Sequence, residues 1–110
     1  MNTSIAVILC TFPDVETAER TCTSLVSSGL VACSTLLPSA TSIFTWKGAV
    51  QRSSEVQVIM KTSTSRVTDV MAHVTEHHPY EVPEFVVLDT SGGLPAYLQW
   101  VLDSTSPDVT

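Results

Sequence analysis

Basic side chains are scarce in this sequence of 110 residues. Five lysines and arginines stand against eleven aspartates and glutamates, which gives a formal net charge of −6, and charged residues make up only 15% of the chain. The five cations are scattered along the sequence and form no patch that could neutralise several phosphates, which argues against nucleic-acid binding. Because an average soluble domain contains roughly 25% charged residues, the low content also predicts that part of the surface is covered in an oligomer.

Glycine, cysteine and long apolar runs are limited as well. The four glycines cannot supply a phosphate-binding loop, and the three cysteines, an odd number without paired spacing, argue against a secreted disulfide scaffold. No stretch reaches the ~20 apolar residues that span a bilayer. The N-terminal segment carries no positive charge, and its apolar run 5–10 is too short for the core of a signal peptide. Together these features predict a cytoplasmic protein without a membrane partner.

The residues that are present predict one α+β domain over residues 1–110. Hydrophobic residues make up 44% of the chain, enough for a single core. Strand-like runs occur at 5–10, 30–37, 42–46, 55–61 and 85–88. Helical spacing of apolar residues follows Asp14, a candidate N-cap, and recurs after Val67 and after Leu94. We expect Pro38 to end the second strand and the chain to fray from about residue 104.

The order of these elements is β-α-β-β-α-β plus one C-terminal helix. It predicts a ferredoxin-like antiparallel sheet with both long helices on one face. In that topology strands one and three lie at the centre, and strand four lies beside strand one. The end of strand one therefore meets the start of strand four.

This topology gathers the side chains with metal-binding chemistry at one edge of the sheet. Cys10 ends strand one, and all three histidines lie within six positions shortly before strand four. Thiolate and imidazole suit copper or zinc, and carboxylates extend the range to other divalent ions. The candidate ligands are Cys10, His77 and His78, with Glu81 and Glu84 as weaker ligands or as acceptors for an imidazole N–H.

Other interpretations of the same residues stay open. Cys10 could be a small buried apolar side chain, and the histidines could belong to a polar loop held extended by Pro79 and Pro83. His73 and His77 have the i, i+4 spacing that can clamp a metal, but a favourable charge–dipole interaction at a helix C-terminus explains them equally well. No serine lies in a Gly-x-Ser-x-Gly motif and no nucleophile has recognisable partners, so we expect no enzymatic activity.

Six short motifs follow one another along the chain: Cys10-Thr11 followed by Pro13, Ala32-Cys33, Ser42 through Trp46-Lys-Gly48, Glu55 through Lys61-Thr62, His78-Pro-Tyr-Glu-Val-Pro-Glu84, and Tyr97-Leu98-x-Trp100. Together they resemble the CutA family, the divalent-cation tolerance proteins, from about residue 4 to residue 102. The resemblance implies a ferredoxin-like subunit in a homotrimer similar in build to PII-like trimers. It also implies a role in copper and divalent-metal tolerance, with copper contacts from Cys10, His77 and His78.

Three classes of function are compatible with these observations. The first is a metal-binding tolerance protein, which we favour because the cysteine and both histidines are present. The second is a PII-like trimeric sensor of a small molecule, although the scarcity of basic residues argues against an anionic metabolite. The third is a non-catalytic structural or partner-binding scaffold. We further expect Trp46 and Trp100 to be largely buried, with Trp100 at a subunit contact.

Overall fold

The computed structural model describes residues 3–107 of the chain. Its four strands, in chain order, are β1 (Ile5–Phe12), β2 (Cys33–Trp46), β3 (Ala49–Ser63) and β4 (Phe85–Asp89). Its helices are α1 (Val15–Ser27), α2 (Val67–His77), which follows a short 3-10 turn, and α3 (Pro95–Ser104). The strands pair antiparallel in the order β2-β3-β1-β4. This confirms the predicted ferredoxin-like topology, with β1 and β3 at the centre and β4 beside β1.

The main core lies between the sheet and helices α1 and α2. Side chains alternate between the two faces of a strand, and Ile8, Cys10 and Phe12 of β1 all point towards these helices and are fully buried. Val70 and Val74 of α2 belong to the same buried cluster. Cys10 therefore sits inside the main core, between two large apolar neighbours on its own strand.

The opposite face of the sheet is covered only in part. Val101 of α3 packs against Ile5 and Ala32 at one end of this face. Further along, Val86 and Leu88 of β4 are about half exposed. This uncovered apolar surface is consistent with the oligomer that the low charge content predicts.

The start and end of α1 follow the sequence signals. Asp14 is the N-cap, and its Oδ1 accepts a hydrogen bond of 2.7 Å from the backbone N–H of Thr17. This bond is the main cause of a lowered pKa of the Asp14 carboxyl. After the helix, Gly29 adopts a φ of +74°, the left-handed conformation that glycine tolerates at a helix end.

Strand β2 runs past Pro38, so the prediction that this proline ends the strand is wrong. The pairing of β2 with β3 shifts register between Leu37 and Ala40, and Ser39 inside this irregularity has a φ of 60°. Strand β2 is at the edge of the sheet and pairs on one side only. An edge strand with an irregularity can accommodate a proline, because the backbone N–H that proline lacks need not pair with a second strand.

Beyond this irregularity, β2 and β3 form a long projecting hairpin, here called the arm (residues 41–54). Lys47 and Gly48 close it with φ values of 51° and 79°, as in a two-residue turn of type I′. Its apolar side chains are exposed in the single chain, including Ile43 (65%) and Val50 (75%). Trp46 is also 59% exposed, and Trp100 is 46% exposed. Within one subunit, therefore, neither side chain shows the burial that was predicted for it.

The C-terminal segment stays packed beyond the predicted point of fraying. Thr105 is fully buried, its side chain bonds to that of Ser63, and its carbonyl accepts a hydrogen bond of 3.0 Å from Arg66 Nε. These contacts anchor the end of α3 to β3 and to the start of α2 as far as Thr105, and fraying of the tail beyond it stays a prediction. Residues 108–110 lie outside the described residues.

Candidate functional site at the end of β1

The end of β1 lies beside the start of β4, as the topology predicts. Cys10 pairs with Phe85 in β4 on one side and with Val58 in β3 on the other. The segment 78–84, which joins α2 to β4, packs against this end of β1 through His78. The predicted site residues thus occupy one region, and their individual contacts decide what each can do.

The thiol of Cys10 is enclosed in apolar surroundings. It is fully buried, and its sulfur makes one weak contact of 3.8 Å, to the carbonyl oxygen of Thr11. Burial, and after it the negative charge of Glu84, raises the pKa of the Cys10 thiol to about 12. Since a thiol must lose its proton to bind a metal, Cys10 in this environment is a poor ligand at neutral pH.

The imidazole of His78 uses both of its ring nitrogens in hydrogen bonds. Nδ1 accepts from the backbone N–H of Tyr80 at 3.0 Å, so the ring proton is on Nε2, which donates to the carbonyl oxygen of Thr11 at 2.7 Å. The ring also stacks on Phe12, with the centroids 4.5 Å apart. His78 therefore fastens the segment 78–84 to β1 and has no free lone pair for a metal.

His77 differs from His78 because its ring is exposed. Its Nδ1 lies 2.9 Å from the carbonyl oxygen of His73, which requires the proton on Nδ1 and leaves the lone pair of Nε2 free. The rings of His73 and His77 stack with centroids 4.4 Å apart, so they do not converge on a common point in their ring planes. Desolvation, with the nearby His77 as a second cause, lowers the pKa of His73.

The carboxylates near this site belong to a polar network on the other face of the sheet. Gln57 Nε2 donates to Glu84 Oε2 at 3.2 Å and to the carbonyl oxygen of Cys10 at 3.1 Å. Tyr80 Oη donates to Glu55 Oε2 at 3.0 Å. Glu84 thus contacts the backbone of Cys10 through Gln57, while its charge acts on the thiol from the opposite side of the strand.

Sequence reasoning missed Glu55, Gln57 and Tyr80 as parts of this region. The alternation of polar and apolar residues along β3 carries the relevant signal, because Glu55 and Gln57 alternate with the buried Val56 and Val58. The alternation does not indicate where Tyr80 lies, because its position depends on the path of the segment between α2 and β4.

These contacts determine what each predicted ligand of the three-ligand copper site offers to a metal ion. Within residues 3–107, no group of three or more His, Cys, Asp or Glu side chains is arranged to hold a metal ion. Cys10 is protonated and enclosed, His78 is saturated with hydrogen bonds, and only His77 has an available nitrogen. In this arrangement the three side chains do not converge on one point, and the copper site formed by Cys10, His77 and His78 stays a prediction.

Comparison with known proteins identifies the family. Residues 6–104 match the family model of the CutA1 divalent ion tolerance protein. The chain belongs to the CutA1 family. It is 45% identical over 95 residues to the divalent-cation tolerance protein CutA of Pectobacterium atrosepticum, with 86% of each chain covered. It is 40% identical over 100 residues to that of Escherichia coli K12, covering 91% of this chain and 89% of the relative.

Solved structures of CutA1-family proteins share the fold. The chain resembles CutA1 of Oryza sativa with a TM-score of 0.91 and 34% identity, over 97% of this chain and 98% of the other. CutA from Xylella fastidiosa gives a TM-score of 0.90 at 34% identity, over 94% and 99% of the two chains. Among residues 3–107 of this CutA1-family chain, no helix has the length and apolar character needed to cross a membrane.

Proposed function

We propose that this chain acts in divalent-cation tolerance as a homotrimer that binds copper or a related metal ion at the end of β1. Membership of the CutA1 family is the observation that carries the proposal. The juxtaposition of the end of β1 with the segment 78–84 supports the location. The proposal includes no catalytic step, and it places the protein in the cytoplasm, where three unpaired cysteines stay reduced.

The three proposed ligands differ in what binding would require of them. His77 offers Nε2 without rearrangement. His78 becomes a ligand only if it gives up a hydrogen bond to Thr11 or to Tyr80, and Cys10 only if its thiol loses its proton. Binding to all three therefore needs a local opening of the segment 78–84. Glu81 and Glu84 lie within the same segment and are proposed as weaker ligands or as outer acceptors for an imidazole N–H.

Metal titration tests the proposed site. We expect calorimetry to show that the assembled protein binds Cu(I) or Cu(II) more tightly than Zn(II), because copper outranks zinc at sites of this type. Affinity should fall as the pH is lowered, because protons compete with the metal ion for the imidazole and thiolate ligands. The triple variant Cys10→Ser, His77→Ala, His78→Ala should lose the binding.

Single variants then separate the ligands from the scaffold. His77→Ala should weaken binding without a change in the unfolding transition, since its ring is exposed. Glu19→Gln, an exposed carboxylate on α1, is the matched control and should bind like the wild type. Unchanged copper affinity in the triple variant would place any metal binding elsewhere on the protein.

The proposed trimer is supported by the exposed apolar surface of the single chain. Apolar side chains of β4, the arm and α3 are exposed in the single chain, and extended exposed apolar patches mark interaction sites. Strand β2 also has an unpaired edge, and pairing such an edge with another chain removes an aggregation hazard. We therefore assign these surfaces to contacts between subunits.

Sedimentation tests the trimer directly. At micromolar concentration the protein should sediment with three times the 11.8 kDa mass of one chain. Trp100→Ala should weaken the assembly in urea, because its half-exposed indole is a large apolar side chain on α3, one of the surfaces assigned to the contact. Gln99→Ala, its exposed neighbour, should have no effect. A monomer at this concentration would contradict the proposal.

A further inference from the structure

The last two turns of α2 carry two imidazoles, those of His73 and His77, here called the histidine pair. The two residues are four positions apart, so their side chains leave the helix on the same face. Their ring centroids are 4.4 Å apart. We assign no subunit contact to α2, so the surfaces proposed for the trimer leave the histidine pair uncovered.

The ring of His73 has a nitrogen without a partner. Its Nε2 is buried, and within residues 3–107 it makes no hydrogen bond. Buried polar atoms nearly always have a partner, because an unpaired one has given up its hydration without compensation. A ligand that bonds to Nε2 compensates for this loss.

The ring of His77 offers a nitrogen that is already oriented. Its Nδ1–H donates to the carbonyl oxygen of His73 at 2.9 Å, which fixes the tautomer and leaves the lone pair of Nε2 free. The ring is exposed, so an ion in solution can reach it. Metal-binding histidines typically donate their other ring N–H to a carbonyl or carboxylate oxygen in this way. His77 therefore already makes the hydrogen bond that is typical of a metal ligand.

Rotation of the His73 ring brings the two Nε2 atoms together. In the stack the ring planes are 29° apart and do not converge on one point. Among residues 3–107 no hydrogen bond holds the His73 ring, so rotation about its Cβ–Cγ bond breaks only the stack. His77 keeps its bond to the His73 carbonyl during this movement. Imidazoles at positions i and i+4 of a helix are spaced to bind one metal ion, as in the His-Glu-x-x-His motif.

The charge around the histidine pair favours a cation. The pair lies at the C-terminal end of α2, where the helix dipole is negative. The carboxylate of Glu76 interacts electrostatically with His73. The nearest lysine or arginine in the sequence is Arg66, which lies at the other end of α2 and pairs with Asp69 at 3.6 Å.

We propose that His73 and His77 bind one borderline divalent cation, such as Cu(II), Ni(II) or Zn(II), through their Nε2 atoms. Imidazole nitrogen suits these ions, and water completes the coordination shell, because within residues 3–107 no third His, Cys, Asp or Glu is arranged with the pair. This inference rests on the proposed metal binding and gives it different ligands. It shares His77 with the proposed copper site, uses neither Cys10 nor His78, and needs no opening of the segment 78–84.

Titration with NiCl2 tests the histidine pair, because Ni(II) suits imidazole and the Cys10 thiol is buried. Calorimetry of the assembled full chain should show one Ni(II) bound per chain. His73→Ala and His77→Ala should each raise the dissociation constant about tenfold or more, since each removes one of two linked ligands. Cys10→Ala and His78→Gln should bind Ni(II) like the wild type.

A control for the spacing keeps the number of histidines constant. The double variant His73→Ala, Thr75→His places an imidazole at an exposed position two residues from His77, on a different face of α2. It should bind Ni(II) no better than His73→Ala does. Ni(II) should also raise the urea midpoint of the wild type and leave that of His73→Ala unchanged, because a ligand stabilises only a state that binds it. The same urea curves show that each variant is folded.

Three results would overturn the inference. The first is equal Ni(II) affinity of the wild type and His73→Ala; if Cys10→Ala and His78→Gln then lose the binding, the ion occupies the proposed copper site and the proposed function stands. The second is wild-type affinity in the double variant, since the i, i+4 spacing would then not matter. The third is a wild type that binds none of Ni(II), Cu(II) and Zn(II), which would overturn the proposed metal binding as well.

Discussion

Replacement of Phe12 by alanine is expected to lower the free energy of unfolding by about 3–5 kcal/mol. The ring is fully buried in the main core at the end of β1, and one side of it stacks on His78. Removal of the ring reduces the buried apolar area and also leaves a cavity under the segment 78–84. Urea denaturation at a fixed protein concentration measures the change, because the proposed assembly makes stability depend on concentration.

The matched control for Phe12→Ala is Leu94→Ala. Leu94 is a large apolar residue that is 72% exposed, and its truncation should change the free energy of unfolding by about 0.5 kcal/mol or less. A loss of about 1 kcal/mol or less for Phe12→Ala would show that the core closes around the gap. The stack with His78 would then have no structural role.

The buried thiol of Cys10 predicts a marked loss of stability at alkaline pH. Its pKa is about 12 in the folded protein, against 9.0 for a free thiol. Below pH 9 the thiol is protonated in both states, and its contribution to stability is fully present. Between pH 9 and 12 only the unfolded chain releases the proton, so the free energy of unfolding falls by about 1.4 kcal/mol per pH unit, or about 4 kcal/mol over the whole interval.

Comparison with Cys10→Ala isolates this contribution from other groups that titrate in the same range. Unfolding free energies measured from pH 8 to 11 should decline more steeply in the wild type than in Cys10→Ala, so that the two curves approach each other. Leu94→Ala, which truncates an exposed apolar side chain without a titratable group, is the control and should keep the wild-type slope. Parallel curves for wild type and Cys10→Ala would mean that water reaches the Cys10 thiol in the folded protein.

Local patterns in the sequence were sufficient to predict the topology of the fold. Three short-range physical preferences of the sequence are found in the structure: the N-cap at Asp14, the turn at Lys47 and Gly48, and the apolar spacing of α2. The prediction that Pro38 ends the second strand was wrong, because the effect of a proline depends on whether its strand has one neighbour or two. That property belongs to the assembled sheet and is not visible in the residues around the proline.

The candidate site was predictable in its location but not in its chemistry. Adjacent strands bring Cys10 near the segment 78–84, as the topology requires. The run from Ile5 to Cys10 is apolar on both faces, so no alternation in the sequence shows which face holds the thiol. The tautomer of His78 depends on two backbone groups, of Thr11 and Tyr80, whose positions follow from the tertiary fold.

The register of the arm limits how its length can vary between relatives. Phe44 and Trp46 lie on one face of the paired strands, whereas Ile43 and Val50 lie on the other. Insertion of a single residue into one strand would move every later side chain of that strand to the opposite face and exchange the two surfaces. A length change that preserves both surfaces must add or remove two residues in each strand. Among homologous chains, arm length should therefore vary in even steps, unless a second bulge restores the alternation.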